Sequence, residues 1–487
     1  MYKLLIHIIL YVLLYYRGFA QKEDLVWPLG DRAGVNFSTG PAIPMSDPDQ
    51  MFLHITNVAI SDTSGNLLFY SNGIAIANKL HDTLQNGNNL SPGTFTPFYR
   101  TNGMPISQGA LVIPFPREKS KYYLFHLNLE YMVPGSYISG QLYYSLIDMS
   151  LDGGLGGVTS EKNMIILEDS IIQGRLTATK HGNGRDWWLL AHRYESNRFF
   201  KFLITPEGVD GPFLQEIGSV MEWQDDWSGQ TTFSPDGAKL ANVLRTGKVD
   251  VFDFDRCTGE LSNCVTLNDS DLVWVFGCSF SPNNELLYLS TLYKLYQYDM
   301  KASEIDTTKR LIAVWDSSYA PTPTIFALHQ LAPDGKIYMS TYHGTTNLHV
   351  INDPNKRGIA CDFVQNDFYF GAKHWNGIGL PNNPNYRLGK LPASSCDTLT
   401  DIPEIPKPEK INIPNFLSSN NGDKTFVIRN LPENTRLQIF NFMGQQLYFS
   451  DNYDNSWDIS NIATGIYFYS LRTREDELIN GKLVMIK

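Results

Sequence analysis

Residues 233–240 read Phe-Ser-Pro-Asp-Gly-Ala-Lys-Leu, and two further versions of this stretch follow in the chain. Residues 280–288 read Phe-Ser-Pro-Asn-Asn-Glu-Leu-Leu-Tyr, and residues 331–338 read Leu-Ala-Pro-Asp-Gly-Lys-Ile-Tyr. Each version has the end of an apolar strand, a turn and a second strand with alternating apolar residues. Because Asp-Gly and Asn-Asn tolerate the positive φ of tight turns, each version predicts a β-hairpin.

Three weaker versions with the same strand–turn–strand form lie upstream, at residues 58–70, 111–125 and 176–190. The strong versions begin at residues 233, 280 and 331, so the period is about 50 residues. A repeat of this length with about four strands is typical of a β-propeller blade. No long amphipathic helix is evident between Asp24 and Leu388.

At this period, residues 24–390 predict a β-propeller of about seven blades. The six visible versions leave one blade to be supplied by residues 143–148 or by closure of the ring between its two ends. An array of two-sheet sandwiches is the alternative, but it does not explain the regular spacing of the turns.

The composition favours an all-β protein. The chain has 487 residues, of which 43% are hydrophobic and 13% aromatic, with 38 Gly and 26 Pro. This length exceeds a single ordinary core, which stops growing near about 250–300 residues. The net charge of −11 disfavours nucleic acid as a partner, because an acidic surface repels phosphate.

The first 20 residues have the form of a signal peptide. Lys3 is followed by an apolar run over residues 4–16, and Gly18 and Ala20 place small residues before the predicted cleavage site. The run is shorter than the roughly 20 residues that span a membrane. An uncleaved anchor helix is the alternative. No later stretch predicts a transmembrane segment, so we expect an exported protein.

Residues 27–41, 61–73, 252–259 and 377–381 match a known pattern of residues. In these segments the propeller region resembles secreted bacterial propeller proteins of the WD-repeat-like superfamily, and the resemblance covers most of residues 24–390. Residues 55–57 read Ile-Thr-Asn where the family usually has an acidic residue and glycine. The resemblance implies a fold and a lineage, and it names no ligand.

A second domain follows a proline-rich stretch. Within residues 391–415, Pro403, Pro406, Pro408 and Pro414 lie in a stretch rich in charged residues, which predicts a semi-rigid linker. Residues 416–487 return to short alternating strands and predict a small β-sandwich.

Four segments of this domain, residues 439–445, 458–460, 465–467 and 482–487, match a known pattern in order and spacing. They resemble the C-terminal type A sorting domain of the type IX secretion system, with Gly444, Gly465, Tyr467, Lys482 and Lys487 as the signal residues. It implies the type IX secretion machinery as a partner and export through the periplasm to the outer-membrane surface or the medium. An accessory sandwich that binds carbohydrate is the alternative.

Five cysteines are an odd number for an exported chain. Cys257 and Cys264 flank a predicted turn, so they are candidates for a disulfide across a hairpin. Cys361 and Cys396 are a weaker candidate pair. Cys278 lies on an apolar strand and predicts a buried thiol.

No catalytic, cofactor or metal motif is evident in the sequence. The acidic and amide residues at 451–458 could suggest calcium, but they lack the spacing of a calcium loop, and a solvated turn is the simpler interpretation. His126, His192, His329 and His343 lie on or beside predicted strands of different blades. Their convergence on the axis would provide ligands or bases, whereas separate surfaces are the alternative.

The candidate binding residues lie at equivalent blade positions. Trp223 and Trp227 lie in a loop with two aspartates, which suits stacking on a sugar or capping of the channel, although burial against a neighbouring blade is equally compatible. Gln230 precedes one repeated strand, and His329 and Gln330 hold the equivalent place before another. These five residues are the predicted ligand-binding positions.

Three functional hypotheses follow. The first is a non-enzymatic propeller that binds a glycan or protein at the cell surface or outside the cell. The second is a hydrolase or lyase that acts on an extracellular polymer in the channel, since enzymes occur on this fold. The third is a structural component of an adhesion or gliding apparatus.

Overall fold

The computed structural model describes residues 22–45, 47, 50–133, 136–226, 229–396, 411, 413–414, 416–418, 425–432, 434–473 and 478–486. The predicted signal peptide and most of the predicted linker lie outside these residues. The chain divides into two compact units, with the boundary after residue 398.

The described part of the first unit contains seven small sheets whose named strands pair in antiparallel fashion. The first sheet contains β1 (Val26–Leu29), β2 (Ala33–Asn36) and β3 (Ile43–Pro44); the second contains β4 (Val58–Ser61), β5 (Leu67–Ser71) and β6 (Ile76–Asn78); and the third contains β7 (Ala110–Pro114), β8 (Lys121–Leu127), β9 (Glu130–Val133), β10 (Ser136–Asp148), β11 (Gly157–Val158) and β12 (Met164–Ile171). The fourth sheet contains β13 (Thr177–Lys180), β14 (Trp187–His192), β15 (Arg198–Thr205) and β16 (Gly208–Glu216), and the fifth contains β17 (Thr231–Phe233), β18 (Lys239–Leu244), β19 (Lys248–Phe254) and β20 (Leu261–Asn268). The sixth sheet contains β21 (Val275–Phe280), β22 (Leu286–Thr291), β23 (Lys294–Asp299) and β24 (Arg310–Val314), and the seventh contains β25 (Phe326–Leu331), β26 (Ile337–Thr341), β27 (Asn347–Ile351) and β28 (Phe363–Tyr369). The helices among the described residues are single 3-10 turns at Thr96–Tyr99, Asp152–Gly154, Trp223–Asp225, Ile305–Thr308 and Gly358–Cys361.

Each sheet packs against the next, and the last packs against the first. One apolar cluster joins the second, third and fourth sheets. Three others join the fourth sheet to the fifth, the fifth to the sixth, and the sixth to the seventh. Another cluster joins the seventh sheet to the first, and β1 lies beside β4 of the second sheet. Since no sheet buries its apolar faces alone, the ring is a seven-bladed β-propeller, as the repeats predict.

Ring closure depends on the N-terminal blade. The fully buried Trp27 ring contacts Phe37 and, in the seventh blade, Tyr338 edge-on, with centroids 4.9 and 5.9 Å away. Asp31 forms a β-bridge with Trp375. Residues 143–148 do not supply a separate blade, because they belong to β10 and pair with β8 of the third blade.

The repeated turns owe their shape to a side-chain network. Ser234 Oγ donates to Asp236 Oδ1 (2.6 Å) and accepts from the backbone N–H of Lys239 (2.9 Å). Gly237 follows with a φ of +72°. The sixth blade repeats this arrangement with Ser281, whose Oγ donates to Asn283 Oδ1 (2.7 Å). The motif therefore encodes the hairpin locally.

Because neighbouring strands of a blade are antiparallel, successive connections between them lie at opposite ends of the blade. The turns between first and second strands, and between third and fourth strands, lie at one end, which carries the repeated motif. We call this the repeat end. The other turns and the connections between blades lie at the opposite end, which we call the loop end.

The cysteine pairing predicted from the sequence is wrong. Cys257 bonds Cys396 rather than Cys264, and Cys361 is a buried free thiol instead of a partner for Cys396. Cys257 sits in the turn between β19 and β20, whereas Cys264 lies farther along β20, beside the Val251–Val265 pair. The hairpin thus carries Cys264 away from the turn. Cys278 is a buried free thiol, as predicted.

The second unit contains a five-stranded sheet in the order β29-β33-β32-β30-β31: β29 (Phe416–Ser418), β30 (Arg436–Asn441), β31 (Gln446–Ser450), β32 (Gly465–Arg472) and β33 (Leu478–Ile486). One face is buried beneath residues 426–428 and 453–459, where Phe426 meets Trp457 edge-on with centroids 5.9 Å apart. This arrangement is the predicted small β-sandwich. No described helix is long and apolar enough to cross a membrane.

Candidate functional site

A segment that follows the last blade runs along the inner strands from the loop end to the repeat end of the ring. We call residues 377–391 the strap. Asn382 Nδ2 donates to the carbonyls of Ala110 (2.9 Å) and Leu176 (2.8 Å), which belong to the third blade and the approach to the fourth. Asn382 Oδ1 accepts from Gln108 Nε2 (3.1 Å). The strap therefore fastens blades that are far apart in sequence.

The far part of the strap makes further contacts with the blades. Asn385 Nδ2 donates to the Pro235 carbonyl (2.7 Å), and the buried Tyr386 hydroxyl donates to the Val112 carbonyl (3.0 Å). The backbone N–H of Leu391 donates to a carbonyl of the fourth blade (2.7 Å). The disulfide that follows the strap fastens the chain to the fifth blade.

Two glycines allow the strap to approach the backbone of the second blade. A Cβ at Gly377 would lie 2.3 Å from the His54 carbonyl oxygen, and one at Gly379 would lie 2.2 Å from that of Ile55. Both distances are shorter than any side chain tolerates. The glycines quoted for the family resemblance thus have a structural role, which is close approach of two backbones.

We expect Gly379→Ala to lower the free energy of unfolding by about 1–3 kcal/mol, because the methyl group would push the strap away from the backbone of Ile55. Chemical denaturation of the purified protein measures this loss. Gly389→Ala is the matched control, since its Cβ would meet no atom within 4 Å. Equal stability of the two variants would show that the strap does not hold the ring.

The predicted channel residue Gln230 ties three blades together. Its Nε2 donates to the His329 carbonyl (2.7 Å), and its Oε1 accepts from the backbone N–H groups of Cys278 (3.2 Å) and His329 (3.1 Å). The side chain is buried. Its amide is thus occupied by the backbone, and we assign it a structural role.

The repeated motif surrounds a pocket of about 300 Å³ at the repeat end. Phe233, Phe280 and the three prolines of the motif line one side, while Asn383 and other strap residues line the other. His329 and Gln330, both predicted from sequence, also line this pocket. The pocket therefore lies between the inner strands of blades five to seven and the strap.

An ion pair borders the pocket. Arg387 of the strap pairs with Asp24, which precedes the first blade and is nearly buried. Burial raises the pKa of the Asp24 carboxyl, and the arginine opposes that rise. Sequence reasoning missed both residues because neither lies in a repeat.

The loop of Trp223 lies at the loop end, so the structure does not bring it together with His329 and Gln330. Trp223 is 61% exposed. The two aspartates beside it point inward: Asp225 accepts from the N–H groups of Glu222 and Thr246 (both 2.9 Å). Asp226 accepts from the backbone and side-chain amides of Gln173 (both 2.8 Å). Trp227 lies outside the described residues.

A second exposed indole lies beside this loop. Trp274 is 42% exposed, and the Arg245 guanidinium carbon lies 3.7 Å from the centroid of its ring. Arg245 also donates to the Gln224 carbonyl (3.4 Å), which connects the two loops. Trp274 has a φ of +59°, a strained conformation for a bulky residue. No pattern in the sequence pointed to this pair, because neither residue belongs to a repeat.

The four predicted histidines do not converge. His126 lies on β8, where its ring nitrogens bond the hydroxyls of Ser91 (2.8 Å) and Ser145 (3.0 Å). His192 ends β14, and His343 is exposed in a turn at the loop end. Of the four, His329 alone lies on an inner strand. Within the described residues, no group of three or more His, Cys, Asp or Glu side chains could hold a metal.

The described signal residues lie in the turns and strands of the second unit. Gly444 has a φ of +81° in the turn between β30 and β31, and Gly465 begins β32. The buried Tyr467 donates its hydroxyl to the Ala463 carbonyl (2.8 Å). Lys482 is exposed on β33, opposite Phe468. Lys487 lies outside the described residues.

Comparison with known proteins identifies the second unit. Residues 411–485 match the family model described as the CHU_C type IX secretion signal domain. The chain therefore carries a type IX sorting domain. It is exported to the cell surface or the medium, and this domain interacts with the secretion machinery.

Several solved structures are similar to the chain at low identity. A candidate 6-phosphogluconolactonase of Bacteroides fragilis has 12% identity and a TM-score of 0.43, with 75% of this chain and 98% of that chain covered. PorZ of Porphyromonas gingivalis, a surface component of its type IX secretion system, has 11% identity and a TM-score of 0.29, with 96% and 74% covered. The Cps50 (Swd1) β-propeller domain of Myceliophteria thermophila has 8% identity and a TM-score of 0.36, with 66% and 94% covered. No curated protein sequence matches the chain.

Proposed function

We propose that this protein is an exported scaffold of the WD-repeat-like class that binds another protein through the loop end of its propeller. The observation that carries this proposal is the exposure of Trp223 and Trp274 in adjacent loops, with Arg245 stacked on one indole. Trp and Arg are the residues most often found at the energetic centre of protein interfaces. The sorting domain brings this surface to the outside of the cell.

The surroundings of the two indoles favour a protein over a glycan. Val220 and Val273, in the same two loops, are more than half exposed and extend the surface with apolar groups. The nearby Asp225 and Asp226 are buried and bonded to the protein itself, so they are not available to sugar hydroxyls. An aromatic and aliphatic surface with one guanidinium is typical of the centre of a protein interface.

The test compares the wild-type protein with a Trp223→Ala/Trp274→Ala double variant. Both are secreted by the native host, crosslinked at the cell surface and purified, and the captured partners are quantified by mass spectrometry. We expect the double variant to retain at least ten-fold less of a specific protein, because each buried interface Trp contributes about 2 kcal/mol or more. The partner is then purified and its affinity for both forms is measured.

The matched control is Ile359→Ala, which removes an 88% exposed apolar side chain at the repeat end. We expect this variant to bind the partner as the wild type does. Equal affinity of the double variant and the wild type would refute the site. Binding that survives proteolysis of the captured material but not periodate oxidation would assign a glycan instead. Motility and attachment assays on a deletion strain test a structural role in gliding or adhesion.

A further inference from the structure

We propose that one face of the sheet in the second unit is the surface through which the sorting domain binds a protein of the secretion machinery. The family match shows that this domain interacts with the machinery, but the match assigns no surface to the contact. The proposal concerns the second unit alone, and it does not depend on the loop-end surface of the propeller.

The two faces of this sheet differ in what lies against them. The odd-numbered residues Leu437 on β30, Leu471 on β32 and Leu483 on β33 are fully buried in the core of the unit. Because successive side chains of a strand point to opposite faces, the even-numbered residues of these three strands lie on the other face. We call this the outer face.

The outer face carries an apolar patch that is continuous across the three strands. Phe440 on β30 lies directly opposite Phe468 on β32, and Ile466 on β32 lies directly opposite Val484 on β33. Phe468 and Ile466 are each 46% exposed, and Ile486 extends the patch along β33. None of these five residues belongs to the apolar core of the unit. A contiguous exposed apolar patch of this kind marks an interaction surface.

A lysine lies at the border of the patch. Lys482, one of the predicted signal residues, is exposed and lies directly opposite Phe468. Within the described residues, Asp451 pairs with Arg436 (2.7 Å), and no carboxylate pairs with Lys482. The charge of Lys482 therefore serves no ion pair inside the described unit. A partner with a carboxylate beside an apolar surface would complement both the lysine and the patch.

The charges of the outer face favour such a partner over a second copy of this chain. Arg436 and Arg472 form a cross-strand pair on the same face as Lys482. Among the described residues, Asp451 is the carboxylate that reaches this face, and Arg436 already occupies it. Two copies packed through their outer faces would bring like charges together, which is costly. A protein of the machinery has no such restriction and can supply the carboxylate.

The first experiment measures export of the full-length protein in the native host. An Ile466→Thr/Phe468→Thr variant removes apolar area from the patch and keeps residues that favour strands. We expect about ten-fold less protein at the cell surface and in the medium, and full-length protein retained in the periplasm. Val427→Thr is the matched control, because Val427 is 47% exposed in the layer that covers the opposite face. It should be exported like the wild type.

A charge reversal provides an independent variant. We expect Lys482→Glu to reduce export by about ten-fold, whereas Lys482→Arg keeps the charge and should be exported like the wild type. Thermal unfolding of protein purified from the periplasm verifies that each variant is folded. If the double threonine variant does not fold, the two Lys482 variants decide. Export of folded Ile466→Thr/Phe468→Thr or Lys482→Glu protein at the wild-type level would overturn the proposal, and so would equal loss with Lys482→Arg.

The second experiment identifies the occupant of the face. Photoreactive benzoylphenylalanine replaces Phe468 in one strain and Val427 in another, and the adducts formed on irradiation of whole cells are identified by mass spectrometry. We expect position 468 to capture a protein whose deletion abolishes export of the wild type, and position 427 not to capture it. An adduct to a second copy of this chain or to lipid alone would overturn the assignment, as would equal capture at both positions.

Discussion

Cys396→Ser is expected to lower the free energy of unfolding of the propeller by about 3–5 kcal/mol. The bond from Cys257 to Cys396 spans 139 residues, and long closed loops remove the most entropy from the unfolded chain. In the folded state, the bond lies against Gly182 of the fourth blade, where an added Cβ would be 2.3 Å from the Cys396 sulfur. Urea denaturation of the mature protein without reductant measures the loss.

Cys264→Ser provides the matched control for this prediction. Cys264 is a half-buried free thiol of the same blade as Cys257, so its substitution leaves the bridge intact. We expect it to change stability by less than about 1 kcal/mol. Addition of dithiothreitol should reproduce the Cys396→Ser curve with the wild type. If the Cys396→Ser protein were as stable as the Cys264→Ser protein, the disulfide that follows the strap would not stabilise the propeller.

The fold could be predicted because the information that specifies it is local. The Ser234–Asp236 bond and the positive φ of Gly237 lie within one turn, so the sequence of a single hairpin reveals them. Recurrence of that turn then indicates the blade period. The first blade has no such turn, and so residues 26–44 were recognised as a blade only in the structure.

The candidate site was predicted only in part because its contacts are not local. Asp24 and Arg387 are 363 residues apart, and Asn382 and Ala110 are 272 apart. Equivalent positions in a repeat pointed to His329 and Gln330, and the structure places both in the lining of one pocket. The same reasoning could not show that Trp223 lies at the opposite end. Proximity in sequence likewise failed to predict the partner of Cys257, because the path of the strap brings Cys396 to it.

Acidification from pH 6.5 to pH 4.5 is expected to destabilise the propeller steeply. Burial lowers the pKa values of four histidines, to about 3 for His126 and His329 and to about 4 for His192 and His349. An unfolded histidine has a pKa near 6.5. Between these values, the unfolded chain binds protons that the folded chain does not. Each histidine then reduces the free energy of unfolding by roughly 1.4 kcal/mol per pH unit.

For the buried carboxyls beside the strap, acidification changes the free energy of unfolding in the opposite direction. Burial raises the pKa values of Glu23 and Asp24, so the folded chain binds these protons more readily than the unfolded chain, and acidification stabilises it there. Two such groups offset only part of the effect of four histidines. Above pH 6.5 the histidines are neutral in both states, so we expect stability to be nearly constant between pH 7 and pH 8.

His329→Leu separates this mechanism from general acid denaturation. The substitution removes one titrating group and breaks no hydrogen bond, because neither ring nitrogen of His329 has a protein partner. We therefore expect the slope of unfolding free energy against pH to fall by about one proton between pH 6.5 and pH 4.5, or about 1.4 kcal/mol per pH unit. Urea denaturation at several pH values measures both slopes. Identical slopes would show that His329 does not remain neutral in the folded ring.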